Sequence, residues 1–373
     1  MSSHGLAFDV IVVGAGAAGL GVGIALEKLG LNYIILEKSS VGASFKKWPK
    51  ETRFISPSFT GNFFNMPDLN AISPDTSPAF SLLTEHPDGR EYAEYLENIW
   101  DHFKLNVKTG VEVLSLNNET GLFTVSTNEG KYSSRFLVWA AGEFQYPKEG
   151  SFEGDELCRH YSTVASFSGI EGDDLIVIGA YEAGFDSAVN LARAGKKVTL
   201  LDSSDNLEKV SSDSSYSLSP FTRDRIRDHL EGVEYHTNAK VKKVELEGDM
   251  YVVTDEDGVQ FFSKEKPINC TGFDGSLSLI RELFDFDGAH PILNSADESS
   301  KTRNLFLAGP QVKHGNALFC FIYKFRQRFI ILAELIAERN RVPQEVLSKV
   351  VSEYKDGNFY LKDLSSCDDE CAC

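Results

Sequence analysis

Apolar and polar positions lay down one pattern twice along the chain. Residues 8–13 form an apolar run that predicts a strand, and residues 17–30 carry helical spacing closed by Leu29-Gly30. Residues 33–37 predict a second strand. The same order returns as a strand at 175–178, a helix at 184–194 and a strand at 197–201. Short apolar strands alternating with helices predict parallel α/β units.

Between the two copies the pattern breaks. Residues 39–86 show no periodicity and are rich in Phe, Ser, Pro and Asn. A loop this long in a compact domain is functional or disordered, and its aromatic content argues against disorder. Residues 90–103 predict an amphipathic helix with Tyr92, Tyr95, Leu96, Ile99 and Phe103 on one face. Strand-like runs follow at 111–116, 122–127 and 136–140, the last ending in the bendable Ala141-Gly142. After the second copy come a helix-like stretch at 219–230 and alternating runs at 240–246, 251–254 and 260–263. Residues 268–273 echo the earlier crossing. A strand at 305–308, a Gly309-Pro310 turn and a long helix over 316–339 complete the reading. The organisation expected is α/β: a Rossmann-like nucleotide domain over 1–147 and 276–350, interrupted by a second Rossmann-like domain over 148–275. An acidic, cysteine-rich tail over 351–373 follows.

Each copy opens its helix with a glycine-rich turn. The first is Gly14-Ala15-Gly16-Ala17-Ala18-Gly19 and the second Gly179-Ala180-Tyr181-Glu182-Ala183-Gly184. A pyrophosphate needs free backbone N–H groups and positive potential, which a helix N-terminus supplies. The first glycine permits the tight turn, the second lets the ligand approach, and the third lets helix pack on strand. In the second copy Tyr181 holds the middle place. In both copies an acid stands 23 residues after the first glycine, Glu37 and Asp202, where it can accept ribose hydroxyls. Two bound dinucleotides are therefore expected, and an enzyme holding two passes electrons between them. Asp202 would repel a 2′-phosphate and favours NADH over NADPH, although Arg193, Lys196 and Lys197 nearby can reverse that preference.

The formal net charge of −18 argues against nucleic acid or an anionic membrane as the partner. The longest apolar helix candidate, 319–337, is interrupted by Lys324, Arg326, Arg328 and Glu334, so no membrane insertion is expected. Residues 1–8 do not read as a signal peptide, and the expected location is the cytoplasm. A homodimer is the expected assembly. Cys158, Cys270 and Cys320 are scattered singly and read as buried thiols. Cys367, Cys371 and Cys373 crowd the C-terminus with Asp368, Asp369 and Glu370. These residues suit a soft metal, a mobile disulfide carrying electrons, or a solvated tail with no fixed role.

The chain resembles the flavoproteins that carry two dinucleotide-binding domains, and among them the small flavin-containing monooxygenase-like proteins, including those labelled cation-efflux accessory flavoproteins. Beyond the first glycine loop, the resemblance rests on Ser44-Phe45-Lys46-Lys47-Trp48-Pro49, Trp139-Ala140-Ala141-Gly142 and Leu307-Ala308-Gly309-Pro310-Gln311-Val312-Lys313-His314. It implies FAD in the first domain and NAD(P)H in the inserted one. The implied cofactor contacts are Gly14, Gly16, Ala17, Ala18, Gly19, Glu37, Lys38, Ser44, Phe45, Trp48, Val113, Ala141, Gly142, Gly179, Tyr181, Glu182, Gly184, Asp202, Thr271, Gly272, Gly309, Gln311 and Val312. The implied reaction takes hydride from NAD(P)H onto FAD and passes it to oxygen, oxidising a small sulfur or nitrogen nucleophile.

Asn62 or Asn65 would donate a hydrogen bond near the flavin, or else build turns. His314 would act near the ring as acid or donor, or else bond a backbone carbonyl. A helix starting at Asn316 would aim its N-terminus at the ring. The alternative is an NAD(P)H-dependent thiol, disulfide or metal-handling reductase using the C-terminal cysteines. Two departures from the monooxygenase pattern stand out. Cys158 takes the place of a histidine, with His160 two residues later, and Pro310 takes that of an aspartate. Bacillithiol-type reductases have a cysteine in the first glycine loop, where this chain has Ala17-Ala18.

Overall fold

Val10, Ile11 and Val12 are wholly buried, which places their strand at the centre of a sheet covered on both faces. The structure, a computed structural model, describes residues 6–61, 66–119, 121–211 and 213–367. In the first sheet the strand Leu6–Val13 lies between Tyr33–Glu37 and Gly130–Trp139, parallel to both. Val107–Thr109 extends one side. On the other, Gly130–Trp139 pairs in parallel with Leu305–Leu307 and opens an antiparallel meander with Leu122–Thr127 and Val113–Glu119. The helix Ala17–Lys28 packs on this sheet and is buried from Ala17 to Leu26. The amphipathic helix is Gly89–Phe103, fixed at its start by Asp88 and Glu91, each accepting from the other's backbone N–H.

The chain leaves this sheet after Trp139 and rejoins it at Leu305. In between it builds a second, all-parallel sheet in the order Val233–His236, Lys197–Leu201, Asp174–Ile178, Ile268–Asn269, Arg159–His160. The helix Glu182–Arg193 covers it, and a three-stranded antiparallel sheet over 241–263 stands beside it. Among the described residues, no helix is long and apolar enough to cross a membrane.

Two expectations change. The long helix over 316–339 does not begin at Asn316. Lys313–His314 and Ala317–Leu318 pair as a hairpin turning at Gly315 (φ +52°), Phe321 is extended, and helix starts only at Ile322. Apolar spacing alone cannot separate a short hairpin from a first helical turn. The tail boundary at 350 also moves. Gln344–Asp356 is a helix whose Val351 and Tyr354 join the first core, as do Phe359 and Cys367. The apolar stripe of that helix outweighs its charged face.

Candidate functional site

Both glycine-rich turns are built alike. Gly14 N donates to Leu36 O at 2.8 Å, and Gly179 N to Leu201 O at 2.9 Å. A Cβ on Gly19 would stand 1.8 Å from Gly14 O, and one on Gly184 would stand 1.9 Å from Gly179 O. These third glycines therefore serve helix–strand contact rather than the ligand. A Cβ on Gly16 would meet nothing within 4 Å, so that position faces open space.

That space is a cavity of about 440 Å³ lined by elements of both halves. From the first half come Gly14, Gly16, Ala17, Ala18, Glu37, Ser44, Phe45, Trp48, Ala141 and Gly142. From the second come Tyr181, Glu182, Ala183 and Asp186. The helix at Ala17 has no side-chain cap and no acid in its first turn, so its leading N–H groups are free for an anion. The residues present thus fit the pyrophosphate of FAD. Glu37, buried at the end of its strand, accepts from Ala15 N at 2.9 Å and from Ser39 N at 2.8 Å, fixing the turn.

An aromatic wall closes one side. Trp48 lies 5.2 Å from Phe45, 4.9 Å from Phe54 and 6.4 Å from Phe144, ring centre to ring centre. The wall crosses the boundary between halves, because Phe144 packs on Phe273 and Tyr161. Gln145 Nε2 donates to Ser44 Oγ at 3.0 Å along the same seam.

Other expected contacts stand off the cavity. Gly309 approaches the first helix, where its Cβ would lie 3.3 Å from Ala18 Cβ. Gln311 Nε2 donates to Asp274 O, Val312 is core, and Val113 sits on the meander edge. Lys38 places its ammonium 5.2 Å from the centre of the Tyr146 ring. Thr271 Oγ1 donates to Asn269 Oδ1 at 2.7 Å and bonds Ser151 Oγ at 2.8 Å, and Gly272 O accepts from His160 Nε2. His160, lowered in pKa by burial, is thereby a structural brace.

Three expectations are corrected. His314 does not face the cavity: its Nε2 bonds Asp297 Oδ1 at 2.6 Å, and the fully buried Asp297 is also gripped by Arg328 Nε and Nη2. It anchors a core ion pair rather than a reacting group. Asp202 is not free for a ribose. Its carboxylate accepts from Ser204 N, Asn206 N, Asn206 Nδ2 and Tyr235 Oη, and it is 1% exposed. The basis for favouring NADH goes with it. Cys367 is a core residue, not part of a solvated tail, and its carbonyl accepts from Asn316 N. Asn62, Asn65, Cys371 and Cys373 lie outside the described residues. Among the described residues no cluster suits a metal ion.

The second turn departs from the first where a phosphate would sit. Tyr181 caps the helix, and Glu182 is its first residue. The Glu182 carboxylate accepts from Ser219 N at 2.5 Å and from Thr222 Oγ1 at 2.6 Å, and burial raises its pKa.

Among the cavity residues that sequence reading missed, four carry groups that bond or titrate: Thr52, Glu143, Asp186 and Cys320. Thr52 donates to Asp186, which pairs with Arg225 at 2.7 Å. Asp186 and Asn190 are acid and amide four apart on an apolar helix face, a polar intrusion that was legible as a signal. Glu143 has no hydrogen-bond partner for its carboxyl among the described residues, and burial pushes its pKa up to about 7. Cys320, read as buried, is the exposed cysteine among those described, and its thiol donates to Ser215 Oγ at 3.1 Å.

Residues 11–309 match the family model described as pyridine nucleotide-disulphide oxidoreductase. An uncharacterized oxidoreductase CzcO of Bacillus velezensis is 30% identical over 203 residues, covering 52% of this chain and 54% of that protein. The chain thus spans about half the length of the curated relatives it matches. Among solved structures, the bacillithiol disulfide reductase Bdr (YpdA) from Staphylococcus aureus superposes with a TM-score of 0.72 at 20% identity, over 90% of this chain and 99% of that one. A flavin-containing monooxygenase from Stenotrophomonas maltophilia gives 0.70 at 16%, over 90% and 99%. At these identities the likeness is one of fold.

Proposed function

The chain belongs to the pyridine nucleotide-disulphide oxidoreductase family, and from that premise we propose that it is an FAD-dependent oxidoreductase drawing on NAD(P)H. The observation that carries this reading is that both glycine-rich turns line one cavity. FAD, when bound, supplies the capacity to accept a hydride and return its electrons to an acceptor. The N–H groups at Ala17 and Ala18 would hold its diphosphate, and Glu37 fixes their turn. Phe45, Trp48, Phe54 and Phe144 form an apolar wall that keeps water from the reacting atoms.

The proposed acceptor is oxygen, with oxygenation of a small sulfur or nitrogen nucleophile. No pair of cysteines lines the cavity among the described residues, which disfavours an internal dithiol relay. The test is steady-state oxidation of NADH and of NADPH by purified protein, scoring peroxide with and without small thiols and amines. Turnover with peroxide release that falls when a substrate is supplied is the expected result. Protein that remains colourless after FAD is added back overturns the reading.

A further inference from the structure

Between the strand Lys197–Leu201 and the helix Pro220–His229, residues 213–219 cross from one half of the molecule to the other as a strap. At one end the strap is tied to the second glycine-rich turn. Ser219 N donates to Glu182 Oε1 at 2.5 Å, and Tyr181 Oη donates to Ser217 O at 3.0 Å. At the other end it is tied to the segment that rejoins the first half. Asp213 pairs with Lys324, Ser214 Oγ bonds Tyr323 Oη, and Tyr216 Oη donates to Asn316 O at 2.8 Å. Ser215 Oγ donates to Leu318 O and accepts from Lys324 Nζ at 2.8 Å and Cys320 Sγ at 3.1 Å. Ser214 and Ser215 line the shared cavity together with Tyr181 and Glu182.

The anchor at the first end is an acid in the place where a dinucleotide needs the reverse. Glu182 is the first residue of its helix, where N–H groups and the helix dipole attract anions. The first glycine-rich turn has Ala17 at the matching place and no acid in that helical turn. A diphosphate brought to the second turn meets a carboxylate already bound to the strap, and the two negative groups repel.

We infer that Glu182 latches the strap across the second glycine-rich turn. A pyridine dinucleotide enters by displacing that latch, and the displacement loosens the strap from residues 316–324. Dinucleotide entry and opening of the cavity are then one event. The inference rests on the reading that the second turn receives NAD(P)H.

The test titrates the wild-type protein, Glu182→Gln, Glu182→Ala and Tyr216→Phe with NAD+ and with NADP+ by calorimetry. Hydrogen exchange of amides 213–219 is followed with and without nucleotide. Tyr216→Phe removes one of the ties at the far end of the strap without touching the glycine-rich turn, and so serves if the Glu182 variants fold poorly. The expected result is binding about tenfold tighter in the Glu182 variants, in line with a charge removed from a helix N-terminus, and tighter also in Tyr216→Phe. Strap amides should exchange faster once nucleotide is bound. Binding to the wild type with equal or weaker affinity in the variants, or strap amides protected by nucleotide, overturns the latch alone. Absence of binding in all four proteins overturns the latch together with the NAD(P)H reading.

Discussion

The Thr52 hydroxyl donates to Asp186 Oδ2 at 2.6 Å, joining residues 134 apart in sequence across the seam between the two halves. The same carboxylate accepts from Tyr161 Oη at 3.1 Å, Asn190 Nδ2 at 3.0 Å and Arg225 Nη1 at 2.7 Å. Both members of the Arg225 pair are nearly enclosed, at 10% and 6% side-chain exposure. Removing the acid strands a buried cation whose Nε already has no hydrogen-bond partner among the described residues. Asp186→Ala should therefore lower stability by about 3–5 kcal/mol, the cost of breaking a buried pair from one side. Thr52→Val should cost about 1 kcal/mol, one hydrogen bond from a set. Denaturant unfolding checks both, and equal effects would show that the seam is not held through Asp186.

The two glycine positions of the first turn separate folding from cofactor capture. Gly16 has φ −85°, which an alanine adopts freely, and its Cβ would project into open cavity. At Gly19 a Cβ would strike a backbone oxygen, which cannot move aside. Gly16→Ala should keep the thermal midpoint of flavin-free protein and lose FAD affinity by more than about tenfold, because only the ligand needs that space. Gly19→Ala should lower the midpoint even without FAD. Thermal melts and flavin fluorescence titrations distinguish them, and a normal FAD affinity in Gly16→Ala would place the diphosphate elsewhere.

Asp202 supplies a third case. With its oxygens held by Ser204, Asn206 and Tyr235, it is part of the loop scaffold. Asp202→Asn should leave the ratio of kcat/KM for NADH and NADPH unchanged within about twofold, while lowering stability by about 1–3 kcal/mol through broken buried hydrogen bonds. A large shift of the ratio toward NADPH would restore the ribose-binding role.

These outcomes mark what could be read in the sequence. The repeated strand–turn–helix units were legible because their signal is local: an apolar run, a glycine turn and an acid in fixed register. Ala17, Ala18 and Glu37 then reach the cavity through the backbone path alone. Asp202 occupies the matching register, but its partners lie in the loop that follows, which no spacing rule describes. His314 failed for a related reason. Its neighbour Asp297 lies 17 residues earlier in a left-handed turn at φ +60°, and Arg328 closes the pair from a helix. Contacts between segments remote in sequence decide whether a polar side chain faces ligand or core. Cys320 was misread because an apolar run, Phe319 to Ile322, resembles a buried helix, whereas its chain is extended at Phe321 and turns the thiol toward the cavity.

Cys320 therefore makes a reporter of the cavity. Its side chain opens onto the cavity, but the protein packed around the sulfur disfavours the thiolate and pushes the pKa up, against the opposing pull of Ser215 and Lys324. Alkylation by iodoacetamide should be slow at neutral pH and accelerate as pH rises beyond the ordinary thiol range, since only the thiolate reacts. Cys270, enclosed and pushed up to about 12, should stay unmodified over the same interval. Adding FAD should protect Cys320. Peptide mass spectrometry reads each site, and labelling indifferent to FAD would put the flavin away from this wall.

Glu143 gives a pH dependence whose sign is fixed. Burial raises its pKa from 4.5 to about 7, so the native state disfavours the carboxylate that the unfolded chain forms freely. Well below pH 4.5 both states are protonated and the group contributes no difference. Between there and about pH 7 the native state holds more protons than the unfolded one, so stability falls as pH rises, and above pH 7 the loss is complete. A shift of this size corresponds to about 3 kcal/mol, an upper limit because water entering the cavity screens the charge. Glu143→Gln has no such charge to bury. The variant should match the wild type near pH 4 and exceed it progressively up to pH 7, with the gap constant beyond. Denaturant unfolding of flavin-free wild type and variant from pH 4 to 8.5 measures that gap, in which every other titrating group cancels. A gap that does not change with pH would mean that the carboxyl is solvated and titrates as it does in the unfolded chain.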